Sequence, residues 1–322
     1  LDPFLIFGFA NTPLLSGLPL AGLEARLLDL TGFTGFGIEG AALATIGARG
    51  AASVVGLYLL FFGGVGPDTE LSHLRPDLGF MEDIVRLGTP SMVENSMNAL
   101  AQITLIAMVV TFSPAVVAAY GLGNRIVSLV FLPAMGLGRA IDTMVGQNLG
   151  AGRADRASRS VYLATSTAAG VMLLVGVAAV LAAEPIVGVF LGDVQNAPET
   201  IALGVEYVRT RSVEFAFIGV TQVLLGAFRG AGNTKTAMVI SILTLWVGRV
   251  GTVFVLVFPL GWGASGIWIG MAVGNLFGAV IAVPWFLRGG WKAAYIDRGD
   301  AGEGPVDDRT DPPETPTANS ED

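Results

Sequence analysis

The chain has 322 residues, of which 52% are hydrophobic and only 14% charged; its mean hydropathy is +0.66 and its formal net charge −8. A soluble domain carries about 25% charged residues, so a single water-facing globule is excluded, whereas a bilayer absorbs about 20 apolar residues per crossing helix. The absence of cysteine and the single histidine, His73, remove disulfides and thiolate chemistry and leave no His-based metal cluster or Ser-His-Asp triad beyond that one loop residue.

In chain order, the opening "LDPFLIFGFA" has no basic region or cleavage site and does not read as a signal peptide. Seven apolar spans are expected near 38–62, 88–111, 115–147, 160–182, 200–228, 236–259 and 263–287. The third and fifth exceed what a bilayer needs and imply tilt or extension into the interface. Pro114 in "TFSPA" marks a tight turn, and Pro133 is the best candidate for a bend within a span. Residues 66–87 place Leu78, Met81, Ile84, Val85 and Leu87 roughly on one helical face. That pattern fits an amphipathic helix on the inner membrane surface, or the lead-in to the second span. The tail 300–322 holds eight acidic residues against one arginine and lacks apolar periodicity, so disorder is expected.

The loops carry the orientation. Arg75, Arg86, Arg153, Arg156, Arg159, Arg229, Lys235, Arg288, Lys292 and Arg298 all fall on alternate connections, and the intervening ones have no Lys or Arg. By the positive-inside rule the basic turns and the C-terminus are cytoplasmic. Residues 37–64 also overlay 263–290 without a gap at an offset of 226, matching Gly37 with Gly263 and Arg49 with Asn275. Transporters are often built from such repeats, and this one implies a protein of roughly 450 residues.

Four stretches carry a family resemblance: "LGTPSMVENSMNAL", "AAYGLGNRIVSLVFLPAMGLGRAIDTMVGQNLGAGRADRA", "GAFRGAGNTKT" and "GIWIGMAVGNLFGAVIAVPWFLRGGWK". Together they resemble the multidrug and toxic compound extrusion (MATE) transporters. The resemblance implies an all-α polytopic membrane protein, with seven transmembrane helices seen and six of them forming the C-terminal bundle of a twelve-helix pseudo-symmetric transporter. It divides the chain into an external loop and remnant of a truncated N-terminal lobe (1–37), the last helix of that lobe (38–62), a cytoplasmic linker with an amphipathic helix (63–87), the six-helix lobe (88–290) and an acidic tail (291–322). It implies export of organic cations and drugs by alternating access in the cytoplasmic membrane, with H⁺ or Na⁺ as coupling ion and no cofactor. The partners are then a small organic substrate and the lipid bilayer, the full-length protein a monomer, and nucleic acid not a ligand. Aligned to the sodium-coupled branch, Asn98 and Ile218 stand where that branch has carboxylates.

Polar residues inside apolar spans are functional candidates by default. Glu94, Asn98, Gln102, Asn124, Arg125, Gln222, Arg249 and Asn275 are read as cavity lining, against the alternative of helix-to-helix hydrogen bonds, and for Glu94 of an interfacial acid at a helix N-terminus. Gly146, Gln147, Gly150, Gly152, Arg153, Arg229, Gly230 and Gly232 belong to the family-motif turns. "GAGNTKT" lacks the glycine before Lys235 and follows a membrane helix, so it is no phosphate loop. Glu206, Arg209, Arg211 and Glu214 are expected as paired charges snorkelling at the outer end of span five. No nucleophile, base and orienting group form an enzyme site. Two rivals stay open: a lipid-linked saccharide flippase using Arg49, Arg125 and Arg249 as a basic cavity, and an inactive membrane fragment.

Overall fold

The computed structural model describes residues 36–62, 78–191 and 198–291. Among these every regular element is a helix. In order they are α1 (Gly37–Phe62), α2 (Leu78–Val109), α3 (Pro114–Gly150), α4 (Ala154–Leu181), α5 (Ala183–Leu191), α6 (Pro198–Ser212), α7 (Phe215–Gly230), α8 (Thr234–Val257) and α9 (Gly263–Leu287). His73, the acidic tail and most of the expected 1–37 remnant lie outside the described residues. Two compact units divide the chain, Leu1–Leu78 and Gly79–Asp322. The first contributes α1, whose Ile46, Val54, Tyr58 and Phe62 are exposed as an apolar surface suited to lipid. At the offset of 226, α1 and α9 begin on corresponding residues and end one residue apart.

By length and composition, five described helices can cross a bilayer, and α6 with α7 make a sixth if that bent pair is one span. The expected second span, α2, is 32 residues and so about 48 Å long. Glu94, Asn95, Asn98 and Gln102 along one side make it too polar for that count. Residues 78–87 form its first turns, so the helix expected before span two is continuous with it.

The second unit is organised by glycines that bring helices into backbone contact. On α7, a Cβ at Gly226 would overlap the Gly138 backbone of α3, and one at Gly230 the Asp142 carbonyl. The order of these contacts makes α3 and α7 parallel. Gly270, Gly274 and Gly278 on α9 face Val253, Arg249 and Thr244 of α8 in reverse order, so that pair is antiparallel.

The ends of α3 and α7 share one cap. Gly152 and Gly232 adopt φ of 70° and 71°, the left-handed conformation that glycine takes without steric cost. Their N–H groups donate to Leu149 O (2.9 Å) and Arg229 O (2.8 Å). The next residues, Arg153 and Asn233, donate to Asn148 O (2.8 Å) and Phe228 O (2.9 Å). This double bond is the Schellman arrangement that satisfies the last carbonyls of a helix. Gly146, Gln147, Gly150, Arg229 and Gly230 lie within the last turns of α3 and α7, and Arg153 is the N-cap residue of α4.

Two breaks in regularity depart from the expected spans. Span five is divided into α6 and α7, which meet at 49°. No proline causes this. The Ser212 hydroxyl donates to Val208 O at 2.6 Å, a local bond that bends helices, and Gly176 of α4 gives the Ser212 carbonyl room. Pro133, the expected bend, sits inside the continuous helix α3. The second break is in α8, where Leu243–Gly251 winds as a π-helix.

Candidate binding cavity

The second unit holds an open cavity of about 420 Å³ lined by α2, α3, α7, α8 and one residue of α9. From α2 it takes Ser91, Glu94, Asn95, Asn98 and Gln102, a polar stripe at helical spacing. From α7 it takes Ile218, Thr221, Gln222, Leu225 and Arg229 at the same spacing, and from α3 Met135, Gly138, Arg139 and Asp142. On α8 the lining residues are Ser241, Thr244, Leu245 and Arg249. Ser241, Leu245 and Arg249 follow at i, i+4 and i+8, the spacing of Thr221, Leu225 and Arg229 on α7, and Arg249 lies within the π segment. Gly248 packs towards Phe277 and Gly274.

A charge cluster ties the wall together. Arg229 of α7 donates to the Glu94 carboxylate of α2, and the Ser241 hydroxyl of α8 donates to the same oxygen at 2.6 Å. Glu94 is therefore a buried mid-helix acid joining three helices, not an interfacial one at a helix start. Trp246 Nε1 adds a second tie from α8 to α2, donating to Met97 O at 3.2 Å.

Behind the cavity sits a second cluster. Arg211 and Glu214, on either side of the α6–α7 break, are 2% and 1% exposed. Arg211 Nη2 lies 2.7 Å from Glu214 Oε1, and Asn275 Nδ2 of α9 donates to Glu214 Oε2 at 2.9 Å. This corrects the expectation of snorkelling charges: the bend turns both side chains into the bundle, where each is the other's counter-ion. Of the other two residues in that group, Arg209 pairs on the surface with Glu184 at 3.1 Å, and Glu206 accepts from Ser265 Oγ.

Of the sequence candidates, Glu94, Asn98, Gln102, Gln222, Arg249, Asn275 and Arg229 line one cavity, as does Ile218. Asn124 and Arg125 do not; both are exposed on α3, away from the cavity-lining turns of that helix. Arg49 lies exposed on α1, in the other unit. Asp142, Arg139, Ser91, Asn95, Thr221, Ser241 and Thr244 escaped sequence reading. The signal that could have found most of them is the i, i+3, i+4, i+7 polar stripe.

The MatE family model matches residues 90–255, which takes in α2 from Pro90 through α8 to Val255. The chain belongs to the MatE family. Curated relatives include the probable multidrug resistance protein NorM of Thermotoga maritima, 28% identical over 85% of this chain and 58% of its own length. The probable multidrug resistance protein YpnP of Bacillus subtilis is 28% identical over 81% and 57%. NorM of Pseudomonas aeruginosa is 31% identical over 69% and 45%. Among solved structures, a MATE transporter in complex with MaL6 superposes with a TM-score of 0.75 at 24% identity, covering 88% of this chain and 62% of the other. An outward-facing multidrug resistance MATE family transporter of the MOP superfamily gives 0.74 at 24%, covering 88% and 61%. The likeness to the solved structures shows the fold, and this MatE chain spans less than two thirds of the length of these relatives.

The Glu94 cluster sets a first expectation. Glu94→Gln should cost about 2 kcal/mol, the scale of hydrogen bonds to a charged group. Arg229→Gln should cost a similar amount, and the double variant less than the two together because they share one interaction. Unfolding in detergent measures all three; strict additivity would show that the pair contributes nothing.

Proposed function

We propose that the chain is the C-terminal lobe of a secondary antiporter that exports small organic compounds in exchange for H⁺ or Na⁺ by alternating access, in the cytoplasmic membrane. The single observation that carries the reading is the polar cavity walled by α2, α3, α7 and α8, set among helices whose outer faces are apolar. Ligand pockets of this size, between helices of a bundle, are where small-molecule sites form. The broken span α6–α7 supports it, because transporter sites gather at discontinuous helices. Residues 88–290 are the lobe, 38–62 the last helix of the preceding lobe, 63–87 a cytoplasmic linker whose residues 78–87 run into α2 as helix, and 291–322 a cytoplasmic tail. The names of the relatives, probable multidrug resistance proteins, support drugs as the cargo class. Of the three arginines that the flippase alternative would use, Arg249 lines the cavity, whereas Arg125 is exposed outside it and Arg49 lies on α1 in the other unit.

Vesicles containing the protein, loaded with an organic cation dye, test the reading. An imposed pH or Na⁺ gradient is expected to drive dye across the membrane, and a lipid-linked saccharide is expected to stay in its leaflet. Dye movement indifferent to both gradients would sink it.

Orientation has its own test, because a chain without cysteine permits single-site labelling. A membrane-impermeant thiol reagent is expected to label Leu260→Cys in intact cells, and Ala151→Cys only after permeabilisation. Labelling of both from one side would contradict the proposed topology.

A further inference from the structure

We infer that the cavity accepts the anionic group of an amphipathic organic solute, with Arg249 as its anchor. This deepens the transport reading and rests on it in calling the occupant cargo.

Most of the charges in and behind the cavity wall already have partners. Arg229 holds Glu94, which also accepts from Ser241. Glu214 holds Arg211 at 2.7 Å and accepts from the Asn275 amide at 2.9 Å. Arg139 is exposed on α3 and, among the described residues, makes no ion pair within 4.0 Å, with Asp142 at i+3 or with any other acid. Arg249 is the other arginine of the wall without a partner, and it is less exposed. Among the described residues it makes no ion pair within 4.0 Å and no side-chain hydrogen bond, and its Nε is buried without a partner. The cavity wall thus carries three arginines against two acids, and of the two unpaired guanidiniums the half-buried one is Arg249, on the π segment.

Its position is fixed. Gly274 of α9 presses on the Arg249 backbone closely enough that a Cβ there would lie 2.8 Å from Arg249 Cα. Arg249 lines the cavity from within the π segment, four residues after Leu245. A guanidinium with its Nε buried and no acid within ion-pair distance is costly in a membrane interior. It presents a planar fork of donors that matches carboxylate, sulfonate or phosphonate oxygens in bidentate fashion. Asn98 and Gln222 offer further amide donors, and Phe131, Met135, Ile218 and Leu245 offer an apolar wall for the body of the molecule. The occupant these groups fit is an organic anion, or a zwitterion presenting its anionic end to α8.

The 322-residue chain in nanodiscs of neutral phosphatidylcholine is dialysed to equilibrium against naphthalenesulfonate and against its matched cation, naphthyltrimethylammonium. The sulfonate is expected to bind roughly tenfold more tightly than the ammonium. Arg249→Gln should weaken the sulfonate about tenfold and leave the ammonium within about twofold, with Arg249→Lys between. Arg139→Gln, on the exposed flank, should weaken the sulfonate about threefold and keeps the test intact if Arg249→Gln does not fold. Tighter binding of the ammonium, no binding of the sulfonate, or sulfonate affinity unmoved by Arg249→Gln overturns the inference. Sulfonate binding through Arg249 without transport of either probe would refute the antiporter reading alone. Gradient-driven transport of the ammonium with no Arg249-dependent sulfonate binding would refute this inference alone.

Discussion

Glu214→Ala is expected to destabilise the lobe by about 3–5 kcal/mol, the range for removing one member of a buried ion pair. The cost comes from what is left behind. Arg211 is 2% exposed, at the break between α6 and α7, and no other carboxylate lies within ion-pair distance of it among the described residues. Without Glu214 its charge would have neither water nor counter-ion, and Asn275 would lose its acceptor. The cycle that separates this from simple loss of packing is Arg211→Met combined with Glu214→Leu. Because an apolar pair of similar volume replaces a buried ion pair with little penalty, the double variant should recover most of the stability. Thermal unfolding in detergent reads it. A double variant as unstable as Glu214→Ala would mean that the pair is needed for the bend itself and not merely accommodated by it.

Gly230→Val is expected to have the other large effect, preventing α3 and α7 from docking. The obstacle is backbone: a Cβ at Gly230 would overlap the Asp142 carbonyl, and one at Gly226 the Gly138 carbonyl. A carbonyl cannot swing aside as a side chain does, so the helices must separate along their length. A cost of at least about 3 kcal/mol is expected, the upper end of overpacking penalties. The same movement displaces Arg229 from Glu94 and opens the cavity, so binding should fail with stability. Gly136→Ala on α3 is the control, because a Cβ there meets nothing within 4 Å. It should fold at least as well as the parent, since alanine favours helix over glycine by about 1 kcal/mol. If Gly230→Val folded normally, the close approach of α3 and α7 would not be what holds this lobe together.

Much of the site was legible as a list of residues but not as a place. The stripe from Ser91 to Gln102 has helical spacing, so its convergence on one face of α2 could be read directly. Glu94 could be marked as costly in an apolar span, but its partners Arg229 and Ser241 are 135 and 147 residues away in the chain. Nothing local distinguishes them. Asn124 and Arg125 show the converse: they look like buried polar groups by position, yet sit on an exposed part of α3. Arg211 and Glu214 sit at the end of α6 and the start of α7, where charged residues ordinarily face water; the bend places them inside.

What the sequence by itself determined was whatever depends on composition and short-range pattern. Apolar length forces helices, because in lipid each backbone polar group must be satisfied within its own segment. The glycine of each Gly-Ala-Gly turn ends its helix, because only a left-handed residue closes that cap at low cost. The tertiary structure alone decided which polar residues share a cavity, that span five breaks without proline, and that α8 winds as a π-helix over the segment that carries Arg249. These features arise from contacts between helices distant in sequence. The free energy of such a contact depends on the partner that each side chain meets, and a single chain read in order does not contain that information.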